Sequence, residues 1–237
     1  MQDRVIVQEI TKSRDRLTTP RAAALAGILF SVLILISLVL IRIAVPQEPL
    51  DSGHWLSSNS NQVALALNLV PFAGIAFLWF IGVIRDRLGE YEDRFFATVF
   101  LGSGLLFLAM LFASAATAGS LLSAYQASLQ TPLNHDLYLY SRITTYQLMN
   151  VYAIKMAGVF MISTCTLALR IGIFKRWMAY LGITLALIML LSIGYLAWAI
   201  VVFPLWVLMI SIDILLINLR RSGEETIEST WDYSNEN

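Results

Sequence analysis

Charge is the first thing this chain lacks. Charged side chains make up 14% of its 237 residues, against roughly 25% in an ordinary soluble domain. No water-soluble fold could hide the 58% that are apolar or aromatic, and no polar stretch is long enough to form a soluble domain. A single membrane domain is therefore expected. The 16 basic and 16 acidic residues cancel, which removes any general case for nucleic-acid binding.

Cysteine is nearly absent as well. Cys165 stands alone inside an apolar run, so an intramolecular disulfide and any Cys-x-x-Cys or Cys/His metal spacing are excluded. The two histidines, His54 and His135, lie near Glu48, Asp51 and Asp136 in sequence, but their spacing matches no metal motif. Neither a metal nor another cofactor is expected. Gly-x-Ser-x-Gly, His-Glu-x-x-His and paired-aspartate motifs are missing too, so hydrolase, zinc-protease and phosphoryl-transfer readings lack their required groups.

What the chain has is hydrocarbon-length apolar runs. About 20 apolar residues at 1.5 Å each are needed to cross a bilayer, and six segments qualify: about 22–43, 62–84, 95–119, 145–169, 177–196 and 199–219. The first exceeds the 7–15 residues of a secretory h-region, and no A-x-A-like site follows it, so a retained span is expected. From Trp177 to Leu219 the only charge is Asp213. One helix of that length would measure about 65 Å, so the chain must turn back, with Gly194, Tyr195, Trp198 and Pro204 marking the place. No charge interrupts residues 95–130, so the third helix either projects beyond the membrane or stops near Gly119.

Lys and Arg decide the expected orientation, because short basic loops stay on the cytoplasmic side. Every second connection is basic: Arg4, Lys12, Arg14, Arg16 and Arg21; Arg85, Arg87 and Arg94; Arg170, Lys175 and Arg176; Arg220 and Arg221. The connections between them hold only Arg142, with Arg42 at the edge of the first span able to snorkel. The expected fold is an all-α bundle of six transmembrane helices with both termini in the cytoplasm, in a plasma or bacterial inner membrane. Residues 1–21 form a cytoplasmic arm, either solvated or lying as a short helix on the membrane surface. Residues 22–221 form the membrane domain, and 222–237 an acidic tail expected to be disordered. The loop 85–94, which mixes arginines with acids, reads as locally ion-paired.

An ionisable side chain inside a span is costly and usually faces a polar interior, which singles out Lys155. At the helical rise it lies ~22 Å above the inner end of its span, with Asn68 at ~24 Å and Ser114 and Tyr195 at ~28 Å. Tyr152 and Asn150 flank it on its own helix. These six residues are the candidate ligand site, a polar pocket in the outer half of the bundle for an unknown small molecule. The alternatives are a lysine snorkelling to the headgroups and an asparagine that serves packing. Asp213 lies ~10 Å above Arg220 and ~12 Å from the level of Lys155, so it is expected at the inner interface or on an arginine of a neighbouring helix. The third span carries Ala109, Ala113 and Thr117, with Ala116 and Ser120, at four-residue spacing. Small residues at that period let helices approach closely, either within the chain or as the seam of a homo-oligomer.

The runs PFAGIAFLWFIGVIRDRLGEYEDRFFATVFLGSGLLFLAM, NVYAIKMAGVFMISTCTLALR and VFPLWVLMISIDILL resemble an uncharacterised family of bacterial multi-pass membrane proteins. The resemblance covers most of the chain. It implies a helical cell-membrane protein and brings no catalytic residue, substrate or partner. The expected function is non-enzymatic, by helix packing or binding within the bilayer. A small transporter or ligand-binding protein built around Lys155 is the second reading. An intramembrane enzyme using Lys155 is the third, and no second catalytic group is evident for it.

Overall fold

The computed structural model describes residues 2–46, 53, 55–88, 94–127, 134–172, 175–191 and 199–235, which are helical almost throughout and contain no strand. The order is α1 (Gln2–Ala44), a single turn α2 (Trp55–Ser58), α3 (Ser60–Leu88), α4 (Arg94–Ala127), α5 (His135–Gln147), a π-helical turn (Leu148–Ala153), α6 (Ile154–Ile171), α7 (Arg176–Leu191) and α8 (Ala199–Asn235). Among the described residues, five helical stretches are long and apolar enough to cross a membrane: Ala22–Ala44, Ser60–Arg85, Ala97–Ala127, His135–Arg170 and Ala199–Arg220. The sixth apolar helix, α7, has 16 residues and so rises only about 24 Å.

Several boundaries differ from the sequence expectation. α4 runs past Gly119 to Ala127, the longer of the two courses its sequence leaves open, because nothing polar enough to stop it intervenes. The fourth span begins at His135, ten residues before the expected Thr145. The polar α5 joins α6 end to end through the π turn, a continuity that hydropathy does not register. The described residues of α7 reach Leu191 and those of α8 begin at Ala199, so Gly194, Tyr195 and Trp198, expected to mark the turn, lie outside the described residues. Pro204 sits inside α8, not in the turn. Its missing N–H withdraws the bond that Ile200 would otherwise accept. α8 is one helix from Ala199 to Asn235, running through the acidic segment after Arg221. Glu224, Glu225 and Glu228 are good helix formers that simply extend an existing helix.

α1 packs between α3 and α8, α3 meets α4, and α6 lies against α4 and α7. Successive long helices alternate in direction. Arg85, Arg94, Arg170, Lys175, Arg176 and Arg220 therefore gather at one end, the basic end.

The centre is aromatic. Phe30 of α1, Phe77 and Phe80 of α3, Phe107 of α4, Phe160 of α6 and Phe203 of α8 are buried. Ring centroids stand 4.7 Å apart for Phe30–Phe77, 4.8 Å for Phe107–Phe203 and 5.2 Å for Phe77–Phe160. Pairs of this kind contribute about 0.5–1.5 kcal/mol each beyond area burial. That matters in lipid, where apolar burial alone does not drive helices together. Most hydroxyls spend themselves locally: Ser31 donates to the Gly27 carbonyl and Thr164 to that of Phe160. Ser37 instead ties α1 to α3 through the Ala66 carbonyl at 2.8 Å.

A second, smaller core closes the far end, where Ala44, Trp55, Leu56, Val63, Leu121, Leu122 and Tyr138 are buried together. The Tyr138 hydroxyl accepts from Trp55 Nε1 at 3.0 Å and from Arg142 Nη1 at 2.8 Å. Arg142 Nη2 donates to the Pro46 carbonyl at 2.7 Å, and Asn59 Nδ2 donates to that of Ala44 at 3.0 Å. Gly53, at φ 79°, turns beneath the Tyr138 ring, where a Cβ would stand 3.3 Å away. The one arginine among the otherwise Arg-poor connections is thus held by a tyrosine and a backbone carbonyl.

Candidate functional site

Lys155 lies one residue into α6, half-buried. Its ammonium donates to the carbonyl of Leu190 at 2.8 Å, in the last turn of α7. That carbonyl belongs to the set a helix leaves unsatisfied at its C-terminus, and a cation there also meets the negative end of the helix dipole. The lysine thus ties α6 to the last described turn of α7. α6 and α7 come together just below it at Gly158, where an added Cβ would lie 3.1 Å from Leu190 Cγ and 3.2 Å from the Ala186 carbonyl oxygen.

The other predicted site residues distribute around it. Ser114 is buried on α4 and donates to the Thr145 carbonyl at 3.0 Å, joining α4 to the helix just before the π turn. Asn150 donates back to the Tyr146 carbonyl of its own helix at 3.2 Å. Asn68 and Tyr152 are exposed on the outside of the bundle, and Tyr195 lies outside the described residues. Lys155 is thus brought to the end of α7 and Ser114 to Thr145, while Asn68 and Tyr152 face away from the interior.

An internal crevice does exist. It is lined by apolar residues from α1, α4, the π turn, α6, α7 and α8, including Ile34, Phe107, Met149, Ala157, Met189 and Phe203. Its volume is about 10 Å³, room for about one water molecule, and with no polar lining it should stay dry. Lys155 is not among its lining residues. The crevice is lined by Ala153 of the π turn and by Ile154 and Ala157 of α6, whereas Lys155 shares a half-buried stripe of α6 with Val159 and Ile162.

At the basic end, Lys175 Nζ stands 3.0 Å from Asp213 Oδ1, with the lysine side chain 62% exposed and the aspartate 10%. Asp213 reaches the level of the α6–α7 connection, as its depth suggested, though its partner is a lysine where an arginine was considered. The pairing shows that α8 continues about two turns beyond that level before Arg220. Three buried polar atoms of α8 have no hydrogen-bond partner among the described residues: Asp213 Oδ2, Ser211 Oγ and Trp206 Nε1. Sequence reading missed Lys175, Trp206 and the Tyr138–Arg142–Trp55 group. The signal for the first was the isolated carboxylate of Asp213 and that for Arg142 its place as the one basic residue of its connection; nothing local marked Trp206, Tyr138 or Trp55.

The small-residue face of α4 points out of the bundle. The buried side of this helix carries Ser103, Gly104, Phe107, Leu108, Leu111, Ser114, Leu121 and Leu122. At 100° per residue, the opposite side carries Ala109, Ala113, Ala116, Thr117 and Ser120. Of these, Ala109, Ala116 and Ser120 are exposed and the other two half-buried. Thr117 and Ser120 bond back to the Ala113 and Ala116 carbonyls, each at 2.8 Å, which keeps the face shallow. Where a Cβ on Gly102 would project there is open space.

Comparison with protein-family models, curated proteins and solved structures gives no match. Among the described residues no group of three His, Cys, Asp or Glu side chains is placed to hold a metal. The coarse statement is nonetheless firm: several apolar helices of membrane-crossing length make this a multi-pass membrane protein whose outer surface suits contact with lipid.

Proposed function

We propose that the chain crosses a cell membrane six times with both termini in the cytoplasm, and that it acts without catalysis, by helix association within the bilayer. The face of α4 carrying Ala109, Ala113, Ala116, Thr117 and Ser120 is its seam for a second copy. The carrying observation is that this face of small residues is uncovered by the protein's own helices, while the opposite face does the internal packing. In lipid, backbones associate where small side chains let them approach. The six crossings are supported by the alternation of Arg-rich and Arg-poor connections, and by α7 lying alongside α6 although it is short. Membership of an uncharacterised bacterial membrane-protein family is part of the same proposal; it rests on the residue runs quoted above and adds no site residue.

Two measurements test this reading. A tag after Asn237 should be unreachable from outside intact cells; labelling by an impermeant reagent would overturn the threading. For the seam, single cysteines at Ala109 and Ala116 in a Cys165→Ala background should form crosslinked dimers in native membranes, whereas a cysteine at exposed Leu65 of α3 should not. Ala116→Ile should abolish the crosslink at position 109. A chain that stays monomeric at every membrane density would sink the seam.

A further inference from the structure

Within the five membrane-length spans, three features interrupt the regular helical ladder: Pro71 of α3, Pro204 of α8 and the π turn Leu148–Ala153. Pro71 is exposed. The other two meet at the internal crevice, where Ile200 and Pro204, the residues between which the helical bond is missing, line the same void as Met149 and Ala153 of the π turn. Helices bend at prolines and at π-bulges, and π-bulges recur at functional sites. Two walls of this void are therefore hinged. Met149 and Met189, which also line it, carry unbranched side chains that adapt to irregular spaces.

Size, lining and depth select the occupant. The void measures about 10 Å³ and every residue lining it is apolar, so a water molecule would find none of the several polar partners that a buried water needs. Ile34 and Phe107, two of the lining residues, lie towards the middle of the spans Ala22–Ala44 and Ala97–Ala127, which sets the crevice in the hydrocarbon layer. What reaches it must be dissolved in lipid. An acyl chain, with its many methylene groups, would need several times the room. We propose that the crevice is a binding site for a dissolved apolar gas, a molecule of the size of dioxygen or ethene. Dry apolar cavities take up such species, xenon among them. Occupancy has a structural consequence here, because a molecule between the π turn and Pro204 props the two hinged walls apart and holds the bend of both helices. The inference needs neither the α4 seam nor a particular number of crossings, so it stands or falls separately from them.

The test uses the full chain in a neutral maltoside detergent, labelled with carbon-13 at the methionine methyls and placed under increasing xenon pressure. The methyl resonance of Met189, buried and on the crevice, should shift and saturate, and that of Met149 should follow it. Met161 and Met178 are equally buried but do not line the crevice, and their resonances should hold still. Ala157→Val projects extra methyls into the void and should abolish the Met189 response, whereas Ile34→Val widens the void and should strengthen it. Dioxygen, which is paramagnetic, should broaden Met189 ahead of Met161 and Met178. An unmoved Met189 methyl, whether the gap is too small or a detergent or lipid chain already fills it, would overturn the proposal. So would shifts of the same slope at Met161 and Met178, or a full response in Ala157→Val. Should Ala157→Val fail to fold, Ile34→Val decides alone, and no gain in its response refutes the site.

Discussion

Replacing Gly182 by alanine places a methyl group 2.5 Å from Cys165 Sγ and 2.5 Å from Trp206 Nε1, where about 3.5–4.0 Å is the comfortable separation. Cys165 and Trp206 are both buried, at 0% and 2% exposure, and Trp206 stacks on Phe203 with centroids 6.4 Å apart, so neither can withdraw without disturbing α6 or α8. Overpacking of this kind costs about 1–3 kcal/mol. Alanine in a helix interior returns up to about 1 kcal/mol relative to glycine. The contact should win, leaving Gly182→Ala less stable by about 1–2 kcal/mol. Removing the sulfur should relieve part of the clash. In the double variant with Cys165→Ala the two changes should therefore cost about 1 kcal/mol less than their sum, a coupling typical of residues in contact. Unfolding titrations in mixed micelles, run on the wild type, both single variants and the double variant, measure each term. A Gly182→Ala protein as stable as the wild type, or strictly additive changes, would refute the reasoning that three helices meet on that bare Cα.

Other substitutions read the remaining contacts. Lys155→Met should destabilise the chain by about 1–3 kcal/mol, because the carbonyl of Leu190 loses its donor, and Lys155→Arg should recover much of the loss in the same titration. Lys175→Ala leaves the Asp213 carboxylate buried without its cation and should cost about 1–2 kcal/mol, the lysine's exposure keeping the figure below that of a fully buried pair. Asp213→Asn should cost less than Lys175→Ala, since it removes the buried charge itself. Tyr138→Phe removes the acceptor shared by Trp55 and Arg142 at the far end; it should cost about 1–2 kcal/mol and speed proteolysis between residues 44 and 60 without altering the centre of the bundle.

Membrane residence and helicity were legible in the sequence, as was the separation of Asp213 from Lys155 along the bundle, because each is a local property. A run of apolar residues of hydrocarbon length must cross or lie buried wherever its neighbours are, and the rise per residue turns sequence distance into depth. That is why Asp213 was placed near the basic end and Lys155 far from it. What the tertiary structure alone decided is rotation and pairing. In water an amphipathic pattern reveals which face of a helix is buried, but in a bilayer the core and the lipid are equally apolar, so the sequence of α4 did not reveal that Ala109 and Ala116 face outward while Gly104 and Phe107 face in. Leu190 lies 35 residues from Lys155, Lys175 38 from Asp213 and Trp55 83 from Tyr138, and no local pattern encodes such distances. Hydropathy likewise missed the continuity of α5 with α6, since a polar helix standing end to end on an apolar one becomes visible only when the backbone is followed through the π turn at Leu148–Ala153.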